Sequence, residues 1–203
     1  MVNHEIRGDW SQIVVCRLDD GQEIYSQTGR FLWKTANVRV EERAPARGVG
    51  DASHGKGLLG RALSAGNRAA SGPPVALPHF RVQEGPGLCA FAGASPGGIR
   101  GIELDGASTW NVSRNAFLAA EGTVGFRLGP GTPDLVRFTG PGWLFIAAGG
   151  TLLDLNPADH DGVIHADVEA LVALENGVAV AVHNDAGVSV AVLKGDGKVI
   201  LRA

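Results

Sequence analysis

The chain has 203 residues, a net charge of −3, 30 glycines and 10 prolines. At this length folding removes roughly 70% of the surface that the unfolded chain exposes, so a core can form without disulfides or metals. The slightly acidic balance gives no electrostatic reason to expect nucleic acid as a partner. Abundant glycine and proline favour short strands joined by tight turns. We therefore expect one all-β domain over residues 1–203.

The first ten residues contain no basic segment followed by an apolar one, which is the pattern of a signal peptide. No stretch approaches the 18 or more apolar residues that a transmembrane helix needs. Both cysteines, Cys16 and Cys89, lie in apolar runs, which predicts that they pack in the core and are not reactive nucleophiles. These observations predict a reduced protein in the cytoplasm.

Two landmarks recur along the chain. The first is a glycine tripeptide followed by an apolar run, and it repeats every 55 residues, at Gly85, Gly140 and Gly195. The second is an apolar tripeptide followed by a valine seven residues after its first residue. These tripeptides begin at Phe31, Phe117 and Leu171. Internal repeats of this kind indicate one strand-rich module used several times.

The landmarks divide the chain into three pseudo-repeats. We place the units at about 11–41, 83–128 and 138–182, with a closing strand in 188–203. The first unit lacks a glycine strand before it, whereas the last glycine strand ends the chain. We therefore expect circular closure, in which the final strand completes the first unit and leaves few free sheet edges.

Residues 42–82 break the repeat and form an insertion. Here six basic residues oppose two acidic ones, which leaves +4 against −7 for the remainder of the chain. Leu58, Leu59 and Leu63 recur at helical spacing, so we expect one short amphipathic helix over Gly57–Ala70. One interpretation is a docking surface for a partner protein, an anionic membrane or an acidic ligand. The other is a solvated loop whose helix acts as a lid on one end of the barrel. The candidate partner-binding residues are Arg43, Arg47, Lys56, Arg61 and Arg68.

Several blocks resemble the mitochondrial-biogenesis family named altered inheritance of mitochondria, number twenty-four. They are Asp19–Ser26, Gly29–Trp33, Gly57–Leu63, Asn115–Ala120 and Phe138–Gly142. The resemblance implies a double-stranded β-helix, or β-sandwich-like barrel, similar to the tryptophan-sensing RNA attenuator protein. It also implies a homo-oligomer, with a trimer as the expected form, and a link to the organisation of the inner mitochondrial membrane. It supplies no catalytic residues.

His165 and Asp167 form the strongest chemical signal. On a strand both side chains point to one face, and His183 or His160 could complete a two-histidine, one-carboxylate metal site. The repeat favours a second interpretation, because the same positions hold Asn111 and Ser113 in one unit and Tyr25 and Gln27 in another. A polar face that recurs in every unit is typical of half-buried strands.

A second motif, Gly50–Lys56, imitates a phosphate-binding loop. It lacks the hydroxyl residue that binds Mg²⁺ and has no α/β unit around it, so we expect an ordinary loop and no cofactor. The sequence therefore predicts a non-enzymatic, oligomeric β-scaffold that binds a protein or membrane component through its insertion. The alternative is a small-ligand or metal-binding protein, with or without an enzymatic role, that uses the barrel interior.

Overall fold

The computed structural model describes residues 1–43, 76–128 and 134–203. These residues contain nineteen β-strands and two 3₁₀ turns, Pro157–Asp159 and Val168–Ala170. All named strand pairs are antiparallel, so the prediction of an all-β chain is confirmed. The predicted helix Gly57–Ala70 and the phosphate-loop imitation Gly50–Lys56 lie outside the described residues.

The strands fall into three groups of six, preceded by one N-terminal strand. The N-terminal strand and the first unit are β1 Asn3–Arg7, β2 Ile13–Leu18, β3 Glu23–Ser26, β4 Phe31–Lys34, β5 Val38–Arg43, β6 Leu77–Val82 and β7 Gly87–Ala92. The second unit is β8 Gly97–Asp105, β9 Trp110–Ser113, β10 Phe117–Glu121, β11 Gly125–Leu128, β12 Leu135–Thr139 and β13 Pro141–Gly149. The third unit is β14 Leu152–Leu155, β15 Val163–Asp167, β16 Leu171–Glu175, β17 Val178–Asp185, β18 Val188–Gly195 and β19 Val199–Arg202.

The same pairing scheme occurs in all three units. In each unit the sixth strand lies between the first and third strands, and the fifth lies between the second and fourth. In the first unit this gives β2-β7-β4 and β5-β6-β3; β8-β13-β10 and β11-β12-β9 follow in the second, and β14-β19-β16 and β17-β18-β15 in the third. Each glycine strand therefore pairs with strands that precede it in the chain.

A β-bulge also recurs at one position of the third strand in every unit. The register shifts between Phe31 and Trp33 in β4, between Phe117 and Ala119 in β10, and between Leu171 and Ala173 in β16. A bulge places one extra residue in a strand and bends it locally. Its recurrence shows that β4, β10 and β16 are structurally equivalent residue by residue.

The core consists of apolar side chains enclosed by these sheets. In the first unit Phe80 and Phe91 are fully buried and meet edge to face, with ring centroids 5.1 Å apart. Cys16 and Cys89 lie opposite one another on β2 and β7, and both are free, fully buried thiols. The prediction that both cysteines belong to the core is confirmed.

The predicted circular closure is wrong. The C-terminal strand β19 pairs with β14 and β16 of its own unit, and none of the four sheets of the described residues closes on itself. The position that we assigned to β19 in the first unit is occupied by β7, which pairs with both β2 and β4. In each unit the sixth strand pairs with the first and third strands of the same unit. The first unit therefore has no vacant position for the C-terminal strand.

Candidate interaction surface at two open strand edges

Strand pairing joins each unit to the next one along the chain. β3 of the first unit pairs with β10 of the second, and β9 of the second pairs with β16 of the third. Each contact joins the second strand of one unit to the third strand of the next. The corresponding third contact would join β15 to β4, but among the described strands neither pairs on that side.

The outer edge of β4 is apolar and exposed. Phe31, Leu32 and Trp33 are 42%, 51% and 38% exposed. The equivalent residues of β10 (Phe117, Leu118 and Ala119) and of β16 (Leu171, Val172 and Ala173) are all buried. The difference follows from the pairing, because β10 is covered by β3 and β16 by β9. Three contiguous large apolar residues on an edge strand are typical of an interaction site.

The outer edge of β15 shows the complementary difference. His165 is exposed, whereas its equivalents Tyr25 and Asn111 are each 3% exposed. Tyr25 lies opposite Ala120 of β10, and Asn111 lies opposite Leu174 of β16. We call the outer edges of β4 and β15 together the open edges.

Of the predicted metal-ligand candidates, the structure brings only His165 and His183 together. The rings of His165 and His183 meet edge to face with centroids 6.2 Å apart. The Asp167 carboxylate instead accepts a 2.8 Å hydrogen bond from the Glu169 backbone N and caps the following 3₁₀ turn. His160 lies in a separate turn, as the C-cap of Pro157–Asp159. Within the described ranges no group of three His, Cys, Asp or Glu residues could hold a metal ion.

Of the predicted partner-binding residues, only Arg43 lies in the described structure. Its guanidinium forms ion pairs with Glu41 and, at 3.0 Å, with Glu23. Hydrogen bonding to Glu41 and the charge of Glu23 raise the pKa of Arg43. Arg43 is thus engaged at the end of the β5–β6 hairpin from which the insertion leaves the sheet. Arg47, Lys56, Arg61 and Arg68 lie outside the described residues.

A buried polar group in this hairpin escaped the sequence analysis. His79 Nδ1 lies 2.7 Å from Glu23 Oε1, and its ring stacks on Tyr25 with centroids 5.3 Å apart. Burial raises the pKa of the Tyr25 hydroxyl, which donates a hydrogen bond to the Val124 carbonyl. The only sequence signal for this group was the polar face that includes Tyr25. The group ties the base of the insertion to the joint between the first two units.

The described residues contain no helix that is long and apolar enough to cross a membrane. A pocket beside Ser113, Leu135 and Val180 has a volume of about 30 Å³, which is far below the roughly 300–1,000 Å³ of a typical small-molecule site. The fold is therefore that of an antiparallel β protein with a packed interior, and its distinctive surface is the pair of open edges.

The chain belongs to the family described as Mitochondrial biogenesis AIM24, whose sequence profile matches residues 4–203. The resemblance found in the sequence blocks is thereby confirmed at the level of the family.

Two streptococcal proteins are similar to this chain. An uncharacterised protein of Streptococcus pyogenes serotype M6 is 28% identical over 145 residues, which make up 70% of this chain and 54% of the relative. The chain thus matches about half the length of that curated relative. A crystal structure of a Streptococcus pyogenes protein superposes with a TM-score of 0.76 at 22% identity and covers 100% of this chain and 94% of that one. This likeness shows a shared fold.

Proposed function

We propose that this protein is a non-enzymatic, homo-oligomeric β-scaffold that presents its basic insertion to an anionic membrane surface. The observation that carries the proposal is the exposure of Phe31, Leu32 and Trp33 on β4. The equivalent residues of β10 and β16 are buried. Contiguous exposed apolar residues on an edge strand promote association, and oligomerisation is the ordinary way to bury them.

The fold supports a scaffold role. Each unit pairs its first strand with its sixth and its second with its fifth, and this order supports the double-stranded β-helix that we propose. We propose the attenuator-like form of that fold for each unit. The interior is filled by three clusters of buried apolar side chains, which favours a structural role over ligand binding in the interior. Two free, buried cysteines support placement in a reducing compartment such as the cytoplasm.

The insertion supports the membrane role. Its ends are held together, because Arg43 lies opposite Leu77 in the β5–β6 ladder. Between these ends the sequence carries four basic residues and one acidic residue, together with leucines at helical spacing. A basic, amphipathic segment binds anionic lipid surfaces, with about 1 kcal/mol from each Lys or Arg near the membrane.

Light scattering on the purified full chain and vesicle sedimentation test the two parts of this proposal. The expected mass is a multiple of 21.0 kDa, with a trimer expected. In the test variant Arg47, Lys56, Arg61 and Arg68 are replaced by Gln. Its affinity for vesicles containing phosphatidylglycerol should fall on the order of a hundredfold or more. The matched control replaces four exposed cations on the strands and turns, Arg39, Arg127, Lys194 and Lys198, by Gln.

A monomeric wild-type protein would contradict the scaffold proposal. Equal loss of vesicle binding in the two Gln variants would contradict the role of the insertion. Co-purification of a protein partner by the wild type but not the insertion variant, without vesicle binding, would replace the membrane by a protein ligand.

The contact between the His165 and His183 rings keeps one alternative function open to test, that of a metal-binding protein. Metal analysis of the purified protein decides it. Stoichiometric iron, zinc or manganese that is lost in His165→Ala would favour this alternative.

A further inference from the structure

We infer that β15 of one copy pairs with the outer edge of β4 of a second copy, so that the third inter-unit ladder forms between chains. The inference rests on the proposed homo-oligomer and deepens it by naming the strands and their register. Other strands of the described residues also have free edges, such as β5, β11 and β17, but these three are equivalent and are free in every unit. β8 and β14 also end their sheets, whereas their counterpart β2 pairs with the N-terminal strand β1, which belongs to no unit. Among the described strands, only the open edges lack a contact with a neighbouring unit that their counterparts possess.

The two ladders within the chain specify the register of the third. Ala119 lies opposite Ser26, and Ala173 lies opposite Val112. The equivalent residues at the open edges are Trp33 and Ala166. The pairing should therefore place Trp33 of one copy opposite Ala166 of the next, and Lys34 opposite His165.

The hydrogen bonds of the first ladder specify the geometry at this pair. The Gln27 backbone N donates a 3.0 Å hydrogen bond to the Leu118 carbonyl, which makes residues 27 and 118 a hydrogen-bonded pair. The next pair, Ser26 and Ala119, is consequently a non-hydrogen-bonded pair, with Cα atoms about 4.5 Å apart. The same spacing is expected between Trp33 and Ala166, and it lies within the range that a disulfide can bridge.

The side chains at the open edges are compatible with this ladder. Pairing would cover Phe31, Leu32 and Trp33 as β3 covers the equivalent residues of β10. Lys34 would lie diagonally across from Asp167, at a separation that a lysine side chain can span. No two carboxylates would face each other across the ladder, because β15 has one acidic residue, Asp167, and β4 has none.

A second copy is the proposed occupant because each copy carries both edges, while within the described part of one chain β4 and β15 end two separate sheets and do not pair with each other. Each copy offers one β4 edge to the preceding copy and one β15 edge to the next. With such a head-to-tail contact, every β4 and β15 edge has a partner only when the copies close into a ring.

Disulfide trapping tests the inference directly. Full-length Trp33→Cys and Ala166→Cys chains, carrying different tags, are co-expressed and oxidised. We expect a covalent two-chain species that contains both tags and is absent when either variant is oxidised alone. The native cysteines do not interfere, because Cys16 and Cys89 are fully buried.

A charge substitution gives a second readout with a matched control. Leu32→Lys should convert the oligomer to a folded monomer in light scattering, because it places a charge within the buried ladder. Leu153→Lys is the control, since Leu153 is also an exposed leucine on an edge strand, at 44% against 51% for Leu32. Circular dichroism should show the same strand content for both variants.

The outcomes separate the two proposals. If the wild type is oligomeric but the mixed chains do not cross-link, the strand assignment is wrong and the scaffold proposal stands. If Trp33→Cys/Ala166→Cys in one chain closes an intrachain disulfide while the mixed chains form none, β15 pairs with its own β4 and the inference is wrong. If the wild type is monomeric, both proposals fail.

Discussion

Glu121 and Val2 lie 119 residues apart in sequence and share a buried hydrogen bond, in which Glu121 Oε1 accepts from the Val2 backbone N at 2.7 Å. The equivalent residues of the other units accept backbone N–H groups at or just before the start of the sixth strand of their own unit. Thr35 Oγ1 accepts from Leu88 at 3.0 Å, and Glu175 Oε2 accepts from Lys198 at 3.0 Å. Glu121 thus fixes the N-terminal segment to the second unit.

Substitution of Glu121 should destabilise the fold. Glu121→Ala leaves the buried Val2 N–H without an acceptor, which costs about 1–3 kcal/mol. Glu121→Gln keeps an acceptor oxygen and should lose less. The measurement is urea unfolding, with Glu103→Ala on the exposed face of β8 as the control. Equal stability of Glu121→Ala and wild type would show that the hydrogen bond contributes nothing.

The three repeat glycines should differ in their tolerance of alanine. All three have positive φ, a backbone conformation that costs an L-residue on the order of 1–3 kcal/mol. A Cβ at Gly140 would lie 2.6 Å from the Thr123 carbonyl oxygen, and one at Gly195 would lie 2.3 Å from that of Gly177. A Cβ at Gly85 has no atom within 4 Å. We expect Gly85→Ala to lower the unfolding free energy least, and thermal melts of the three variants measure this order. An equal loss in all three would contradict the contacts described.

Both thiols should resist modification in the native protein. Burial raises the pKa of Cys89 to about 12 and also raises the pKa of Cys16. Thiolate is the reactive form, so Ellman's reagent at pH 8 should label neither residue before unfolding. In denaturant it should label two thiols per chain. Rapid labelling of the folded protein would place at least one cysteine outside the core.

Asp105 should contribute to the acid sensitivity of the fold. Its carboxylate accepts hydrogen bonds from the Ser108 backbone N, the Ser108 hydroxyl and the Ala107 backbone N, which lower its pKa to about 2. A lowered pKa in the folded state gives stability that is present above the ordinary value of 3.8 and is lost as the pH falls towards 2. Asp105→Asn, which does not titrate, should lack this part of the loss in acid unfolding. Direct NMR titration of Asp105 with a midpoint near its ordinary value would contradict the assignment.

The recurring landmarks made much of the fold predictable. Apolar tripeptides and glycine turns are local signals, and they marked β4, β10 and β16 as equivalent strands before their pairing was known. The positions of the two cysteines in the core followed from the same local pattern. The error concerned the last strand, because alternation of side chains identifies a strand but does not name the strand that pairs with it.

Leu32 and Leu118 separate what the sequence determined from what the tertiary structure decided. Both are leucines at the same place in the repeat, and the sequence alone determined that each belongs to the third strand of its unit. Only the tertiary structure decided that Leu118 is fully buried and Leu32 is half exposed. The physical reason is that burial depends on the neighbouring strand, and β3 lies beside β10 whereas no described strand lies along the outer edge of β4.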